Sequence, residues 1–275
     1  LTALTEGETP AGTKMAYKDV SVDIAQYGNW TGFTDFFMDT HPDVPAVVRE
    51  FSDILGEQAA LTKEVLTYNV LKAGSNVQYA NGVQRTDVNT PITLAAVRRA
   101  TRALKNQNIG KITTVLASTP NYNTQPIEAA YVALVHPNVE NDVRNIDGFI
   151  SVKHYAQGKA FEGEIGQVED VRFVSSTVFS AFADAGGAKG LMMSTTGVSA
   201  DVYPIIILGK DAFSIVPLRA NTGTSSVPAT VSVVYPKATE TDPLGQRGVM
   251  SWKMYHAALI TQDYALLRLE VAATA

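Results

Sequence analysis

An α+β fold follows from three features of the sequence. One very long amphipathic helical pattern runs from Val44 to about Ala73, a shorter one from Leu94 to Asn106, and short β-branched runs fill much of the rest. At 1.5 Å per residue, roughly 30 residues make a rod of ~45 Å, longer than the ~30 Å that spans a small domain. Such a helix is expected to serve as a spine and to need a partner outside itself.

Residue chemistry marks its limits. Asp43 can cap the first turn, and Pro45 is tolerated there because its missing N–H is unpaired in any case. Lys72 then Gly74 supply a C-terminal charge and a left-handed stop. The stripe Val47, Phe51, Ile54, Leu61, Val65, Tyr68 keeps helical spacing and is expected to be the buried face, with Gln58 its one polar interruption.

Before the spine, Leu1 to Lys18 is rich in Thr, Gly and Glu without periodicity and reads as an extended arm that is not ordered alone. Val20, Val22 and Ile24 alternate with Ser21 and Asp23; a turn at Gly28-Asn29 into Trp30 to Phe37 is predicted. After the spine, Thr93 or Thr90 can cap the Leu94 to Asn106 helix. Its apolar face is Leu94, Val97, Thr101 and Leu104, its basic face Arg98, Arg99, Arg102 and Lys105, and Gly110 is its predicted terminator. Strands are predicted at Ile112 to Ala117, Val168 to Phe182, Val202 to Leu208, Ile215 to Leu218, Val231 to Tyr235, Val249 to Tyr255 and Tyr264 to Val271. Ile127 to His136 and Val139 to Asn145 read as short helical pieces. Ala183 to Thr196 and Ala220 to Pro228 read as small-residue loops. No internal repeat is found.

Composition narrows the classes. With 275 residues, 45% hydrophobic and 18% charged, the chain can bury a sizeable core, and no apolar run approaches a membrane span. The absence of Cys excludes disulfides and thiolate chemistry. A net charge of -5 argues against a dedicated nucleic-acid binder. Leu1 in place of an initiator Met, with no signal pattern, is expected of a chain cut or trimmed at its N-terminus.

Enzymatic patterns are weak. His41, His136, His154 and His256 are scattered without paired ligand spacing, so neither a metal nor a catalytic site is expected. Glu162, Glu164, Glu169 and Asp170 cluster in a Gly-rich stretch that reads as a solvated face. Gly186, Gly187 and Gly190 lack the strand–glycine–helix context of a phosphate loop. The basic face Arg98, Arg99, Arg102, Lys105 reads either as an ordinary solvated face or as a surface for a subunit or for DNA.

Six motifs occur in order. They are Gln26-Tyr27-Gly28 with Thr34-Asp35; Leu55-Gly56-Glu57-Gln58-Ala59-Ala60; Ser118-Thr119-Pro120-Asn121-Tyr122-Asn123-Thr124; Gly163-Glu164-Ile165-Gly166 with Glu169-Asp170-Val171-Arg172-Phe173; Leu208-Gly209-Lys210-Asp211-Ala212; and Asp242-Pro243-Leu244-Gly245-Gln246-Arg247-Gly248. With them the chain resembles, along essentially its whole length, the major capsid proteins of tailed bacteriophages with the Hong Kong 97-like fold, in the podophage coat-protein family.

The resemblance implies a map: residues 1–27 as the descending part of an E-loop and the hairpin start, 28–110 as a P-domain holding the spine helix 44–73, 111–227 as an A-domain, and 228–275 as C-terminal P-domain strands. It implies a structural protein, not an enzyme and without cofactor, assembling into homo-hexamers and pentamers of an icosahedral shell around double-stranded DNA. Further implied partners are a cement or decoration protein, a scaffold and a portal, with no membrane; the location is the virion, after assembly in the host cytoplasm. An encapsulin-like nanocompartment shell is the alternative.

Lys14, Lys18, Arg98, Arg99, Arg102 and Lys105 are the candidate inter-subunit contacts, and Val47, Phe51, Ile54, Leu61 and Val65 the candidate structural spine. Crosslinking of the kind known in the fold's namesake needs a loop Lys and an Asn on a neighbour. The strands from Val231 onward hold no Asn, so it is not expected.

Overall fold

The computed structural model describes residues 6–7, 12, 14–15, 17–115, 126–155, 160–216 and 230–275. In chain order the elements are β1 (Ala25–Thr34), α1 (Asp35–Thr40), α2 (Val44–Lys72), β2 (Val77–Tyr79), α3 (Leu94–Asn106), β3 (Tyr131–Val135), α4 (Pro137–Arg144), β4 (Phe149–Ser151), β5 (Glu164–Val168), β6 (Val171–Ser175), β7 (Val202–Leu208), β8 (Phe213–Ile215), β9 (Thr230–Val234), β10 (Arg247–His256), β11 (Ala258–Ile260) and β12 (Leu266–Ala272). The predicted loop 220–228, and parts of two predicted strands, lie outside the described residues.

Two sheets organise these elements, with a small β11–β8 pair beside them. Three strands run in the order β1-β10-β9, and seven in the order β2-β12-β7-β3-β6-β5-β4. β12 pairs β2, and β3 pairs β6, in parallel; the other pairings are antiparallel. Side chains alternate across each strand, so each sheet has two distinct faces.

On the seven-stranded sheet, Tyr131, Ala133, Ile205, Ile207, Leu267 and Leu269 point to one face, where α3 and α4 cover them with Val97, Ala100, Leu104, Val139 and Val143. Ile206, Leu208 and Leu266 point to the other, where they meet Tyr68 and Leu71 from the end of α2. The three-stranded sheet turns Met250, Trp252 and Met254 toward α2, against Leu55 and Ala59, with Val48 and Leu66 alongside. α2 is therefore shared: most of its length lies on the small sheet, and its last turns lie on the large one.

The helix ends follow their chemistry in part. The Asp43 carboxylate accepts from Ala46 N, Pro45 sits in the first turn, and Thr93 caps α3 by accepting from Ala96 N. The C-terminal stops differ from expectation. Gly74 is absent from the left-handed residues; it is glycine because a Cβ there would lie 2.6 Å from Leu266 Cδ2. Past α3 it is Asn108, at φ 55°, that turns the chain, not Gly110.

The buried stripe of α2 is a correction. Val47 is half-buried, and Phe51, Ile54, Leu61 and Val65 remain 42%, 52%, 52% and 37% exposed. Leu55, Ala59, Tyr68 and Leu71 are the buried residues. At 3.6 residues per turn the stripe against the small sheet is rotated by roughly 100° from the one the spacing selects. Two apolar stripes satisfy the same periodicity, and spacing alone does not say which of them this chain covers.

Four further expectations change. β1 is one unbroken strand, with no turn at Gly28-Asn29: Gly28 pairs with Lys253, and a Cβ on it would meet the Trp252 carbonyl oxygen at 2.7 Å. The predicted helical piece Ile127 to His136 contains strand β3, a short run buried between two neighbouring strands, where helix and strand periodicity cannot be told apart. The predicted strand Val168 to Phe182 holds only the end of β5, a turn at Glu169 (φ 47°) and Asp170, and β6, and from Ser176 onward it is no regular strand. α1, one and a half turns after Thr34, was missed.

This packing separates two neighbouring apolar side chains of α2. Leu55→Ala should destabilise the folded subunit by about 2–5 kcal/mol, the usual cost of a buried Leu, and Phe51→Ala by much less. Urea melts of the dispersed subunit check it; equal losses would contradict the assigned face.

Candidate assembly surfaces

No described side chains converge on a reaction centre. His41 Nδ1 accepts from Asp43 N, His136 Nδ1 accepts from Asn138 N to cap α4, and His256 Nε2 lies 3.2 Å from Thr67 Oγ1. Burial holds His136 below the ordinary imidazole range; burial, then the Lys63 charge, does the same to His256. No group of three or more His, Asp or Glu able to hold a metal occurs among the described residues. The four clustered carboxylates go separate ways: Glu164 is buried 3.9 Å from Arg172, Glu169 and Asp170 pair with cations, and Glu162 stays exposed.

What the surface offers instead is unpartnered apolar area. Met15 and Tyr17, beside the exposed Lys14 and Lys18, are 85% and 88% exposed in an arm with no strand or helix among its described residues. Trp30 stands 67% exposed on the outer face of the three-stranded sheet, where Val234 and Tyr255 are exposed too. On α2 the stripe Phe51, Ile54, Leu61, Val65 continues into a pocket of about 300 Å³ lined by Gly32, Phe33, Phe37, Phe51 and Met250. Single exposed hydrophobics are ordinary, but a stripe joined to a pocket marks an interaction surface.

The β1 edge adds to this. Its ten residues pair with β10 on one side only, leaving a row of free N–H and C=O groups on the other among the described residues. Such an edge is an association site unless something covers it.

The basic residues of α3 are partly occupied. Arg98 donates from Nε to Glu169 Oε1 at 2.8 Å, Arg99 donates to the Tyr79 carbonyl, and Lys105 shares Asp170 with Lys111. Arg102 is exposed and forms no ion pair among the described residues.

A buried charge cluster joins the spine to the large sheet. Glu270 is fully buried on β12. Arg85 donates to it through Nε at 2.8 Å and Nη2 at 2.7 Å, and Arg268 Nε lies 2.9 Å from Oε1. Arg268 also donates to the Lys72 carbonyl, satisfying one of the free acceptors at the end of α2. Lys72 and Arg85 lie over the Phe182 ring at 4.0 and 3.6 Å. Burial, then the Arg85 and Arg268 charges, holds the Lys72 ammonium below its ordinary range.

Gln58 acts likewise at the small sheet, its Oε1 accepting from Asn29 Nδ2 at 3.1 Å and Trp252 Nε1 at 3.0 Å. Sequence reasoning marks Gln58 only as an interruption of the apolar stripe and passes over the charge cluster. Their signals were present: two charges inside the apolar run LLRLEVA, and one amide inside an apolar helix face.

Against known proteins, the chain matches the model of a phage capsid protein family over residues 17–269. A major capsid protein of Pseudomonas phage KPP21 is 21% identical over 267 residues, covering 90% of this chain. The chain spans 66% of that relative's length. Among solved structures, the capsid of Ralstonia phage GP4 matches with a TM-score of 0.66 at 12% identity, over 92% of this chain and 74% of that one. The capsid of cyanophage P-SCSP1u gives 0.59 at 14% identity, over 100% and 80%. The SrpI encapsulin of Synechococcus elongatus gives 0.51 at 10%, over 90% and 74%. At these identities the likeness is one of fold.

Truncating the buried carboxylate tests the charge cluster. Glu270→Ala leaves Arg85 and Arg268 facing each other without a counter-charge, and should cost the subunit about 3–5 kcal/mol in equilibrium unfolding. A loss under about 1 kcal/mol would mean that the pair is solvated rather than buried.

Proposed function

The chain belongs to the phage capsid protein family and has its Hong Kong 97-like α+β fold, and from this we propose that it is the structural subunit of an icosahedral phage head. The observation that carries the reading is the chain's incompleteness: arm, sheet edge and spine stripe together expose more apolar and hydrogen-bonding surface than a lone subunit keeps. Copies meeting head to tail cover such surfaces and close into rings, here hexamers and pentamers, and contacts between rings close the shell. Each contact can be weak, because closure makes them simultaneous.

In this reading α2 and the three-stranded sheet form the peripheral P-domain, and the seven-stranded sheet with its helices forms the A-domain turned toward the capsomer axis. β12 and α3, which the resemblance places with the peripheral domain, share one core with β3 and β7, and this supports grouping them with the A-domain in this reading. The residues before 25 act as an E-loop arm laid on a neighbour. The shell encloses double-stranded DNA and serves the virion after assembly in the host cell, with cement, scaffold and portal proteins as further partners. Catalysis has no part in it. An encapsulin-like compartment is the second reading, favoured only by the fold it shares; nuclease-protected DNA in purified particles separates the two.

Removing residues 1–18 tests the arm. Both sheets should stay folded, with an unchanged circular dichroism melt, while electron microscopy shows no closed shells. Normal shells from the truncated chain, or its loss of folding, would each contradict the role given to the arm.

A further inference from the structure

α2 carries a second uncovered feature beside its apolar stripe. Glu50, Asp53, Glu57 and Glu64 are all exposed and, at 100° per residue, fall within roughly 60° of one another around the helix. None forms an ion pair among the described residues. Asp53 and Glu57 stand four residues apart, a spacing at which like charges repel. This acidic side is the one that, further along, carries Tyr68 and Leu71 onto the large sheet. Lys63 lies off to its flank, and Arg49, four residues before Asp53, is the one cation beside the four acids and forms no ion pair among the described residues, so the side stays net negative.

The opposite charge sits on α3. Arg98, Arg99, Arg102 and Lys105, with Lys111 just beyond the helix, face only Glu169 and Asp170, which leaves an excess of positive charge centred on the unpaired Arg102. Within one chain the two surfaces cannot meet. α3 covers the face of the seven-stranded sheet lined by Ile205, Ile207 and Leu269, and α2 reaches the other face through Ile206, Leu208 and Leu266.

A head-to-tail contact brings one face of a subunit against the opposite face of the next, and repetition of that step generates a ring. We infer that the cationic face of α3 docks on the acidic face of α2 in a second copy of this chain, with Arg102 placed between Asp53 and Glu57. The inference rests on the shell reading and adds to it the pair of surfaces that sets the order of subunits around the ring. Exposed ion pairs are individually weak and sensitive to salt, so the contact selects register and partner more than it supplies affinity.

Charge reversal on each side, and then on both, tests it. Ala95→Glu with Arg102→Glu reverses the charge at the centre of the α3 face without removing an internal bond, and Asp53→Lys with Glu57→Lys reverses the pair of charges that Arg102 meets on α2. Each double variant should keep the circular dichroism melt of the unaltered chain but give roughly tenfold fewer shells at low salt by sedimentation and electron microscopy. All four substitutions in one chain should restore assembly, because the attraction is then recreated with the signs exchanged. A 1:1 mixture of the two double variants should likewise recover hexameric rings.

Unaltered assembly by either double variant, or a fourfold variant no better than the doubles, would overturn the contact. So would intact shells that lose only their DNA on reversal of α3, since that face would then belong to the nucleic acid. Should the unaltered chain itself form no shells, the failure would be that of the shell reading and not of this contact.

Discussion

The burial of α2 is the constraint on which the rest of the structure depends. A helix of 29 residues has more surface than one small sheet can cover, and this chain divides the task. The three-stranded sheet takes Leu55 and Ala59, the seven-stranded sheet takes Tyr68 and Leu71, and a long stretch of Phe51, Ile54, Leu61 and Val65 is left to water. Helix stability in water comes chiefly from packing of an apolar face, so the exposed stripe on a helix this long implies a further surface. The arm, the β1 edge and Trp30 point the same way.

Polar contacts decide how α2 sits between its sheets. Apolar packing tolerates small rotations of a helix, whereas a buried indole N–H such as that of Trp252, or a buried carboxylate such as that of Glu270, must find its partner or lose its hydration uncompensated. Gln58 bridges Asn29 and Trp252 at one end; Arg268 and Glu270 hold the last turn at the other. Between these pins lies a crevice of about 780 Å³, lined by Ala60, Lys63, Glu64 and Thr67 of the helix and by Leu134, Val174, Phe179 and Leu208 across from them. The helix is fixed at two places and unsupported by the large sheet in between.

The sequence announced much of this. α2, α3, α4 and strands β7, β9, β10 and β12 could be placed because their caps, turn residues and periodicity agree with the fold they enter. β3 was misread because its five residues, flanked by strands on both sides and covered on one face by the main core, carry no alternation to separate strand from helix. Gly28 and Gly74 misled for one shared reason: both are glycine because a neighbour comes too close for a Cβ, and chain-local rules read glycine as a turn or a stop. The candidate surfaces were legible only in part. Spacing found the apolar stripe of α2 but assigned it to the wrong side of the subunit boundary, and it found the cations of α3 without the carboxylates Glu169 and Asp170 that occupy several of them. Contacts between distant parts of the chain leave no local pattern to read.

Hydroxyl-radical footprinting of assembled particles beside dispersed subunits measures most directly whether other copies complete this chain. Oxidation of Met15, Tyr17, Trp30 and Phe51 should be strong in the dispersed subunit and fall severalfold on assembly, while the buried Trp252 and Met254 stay protected in both. Equal labelling of Met15, Trp30 and Phe51 in the two states would show that these surfaces stay open in the particle, and would contradict the account at its centre.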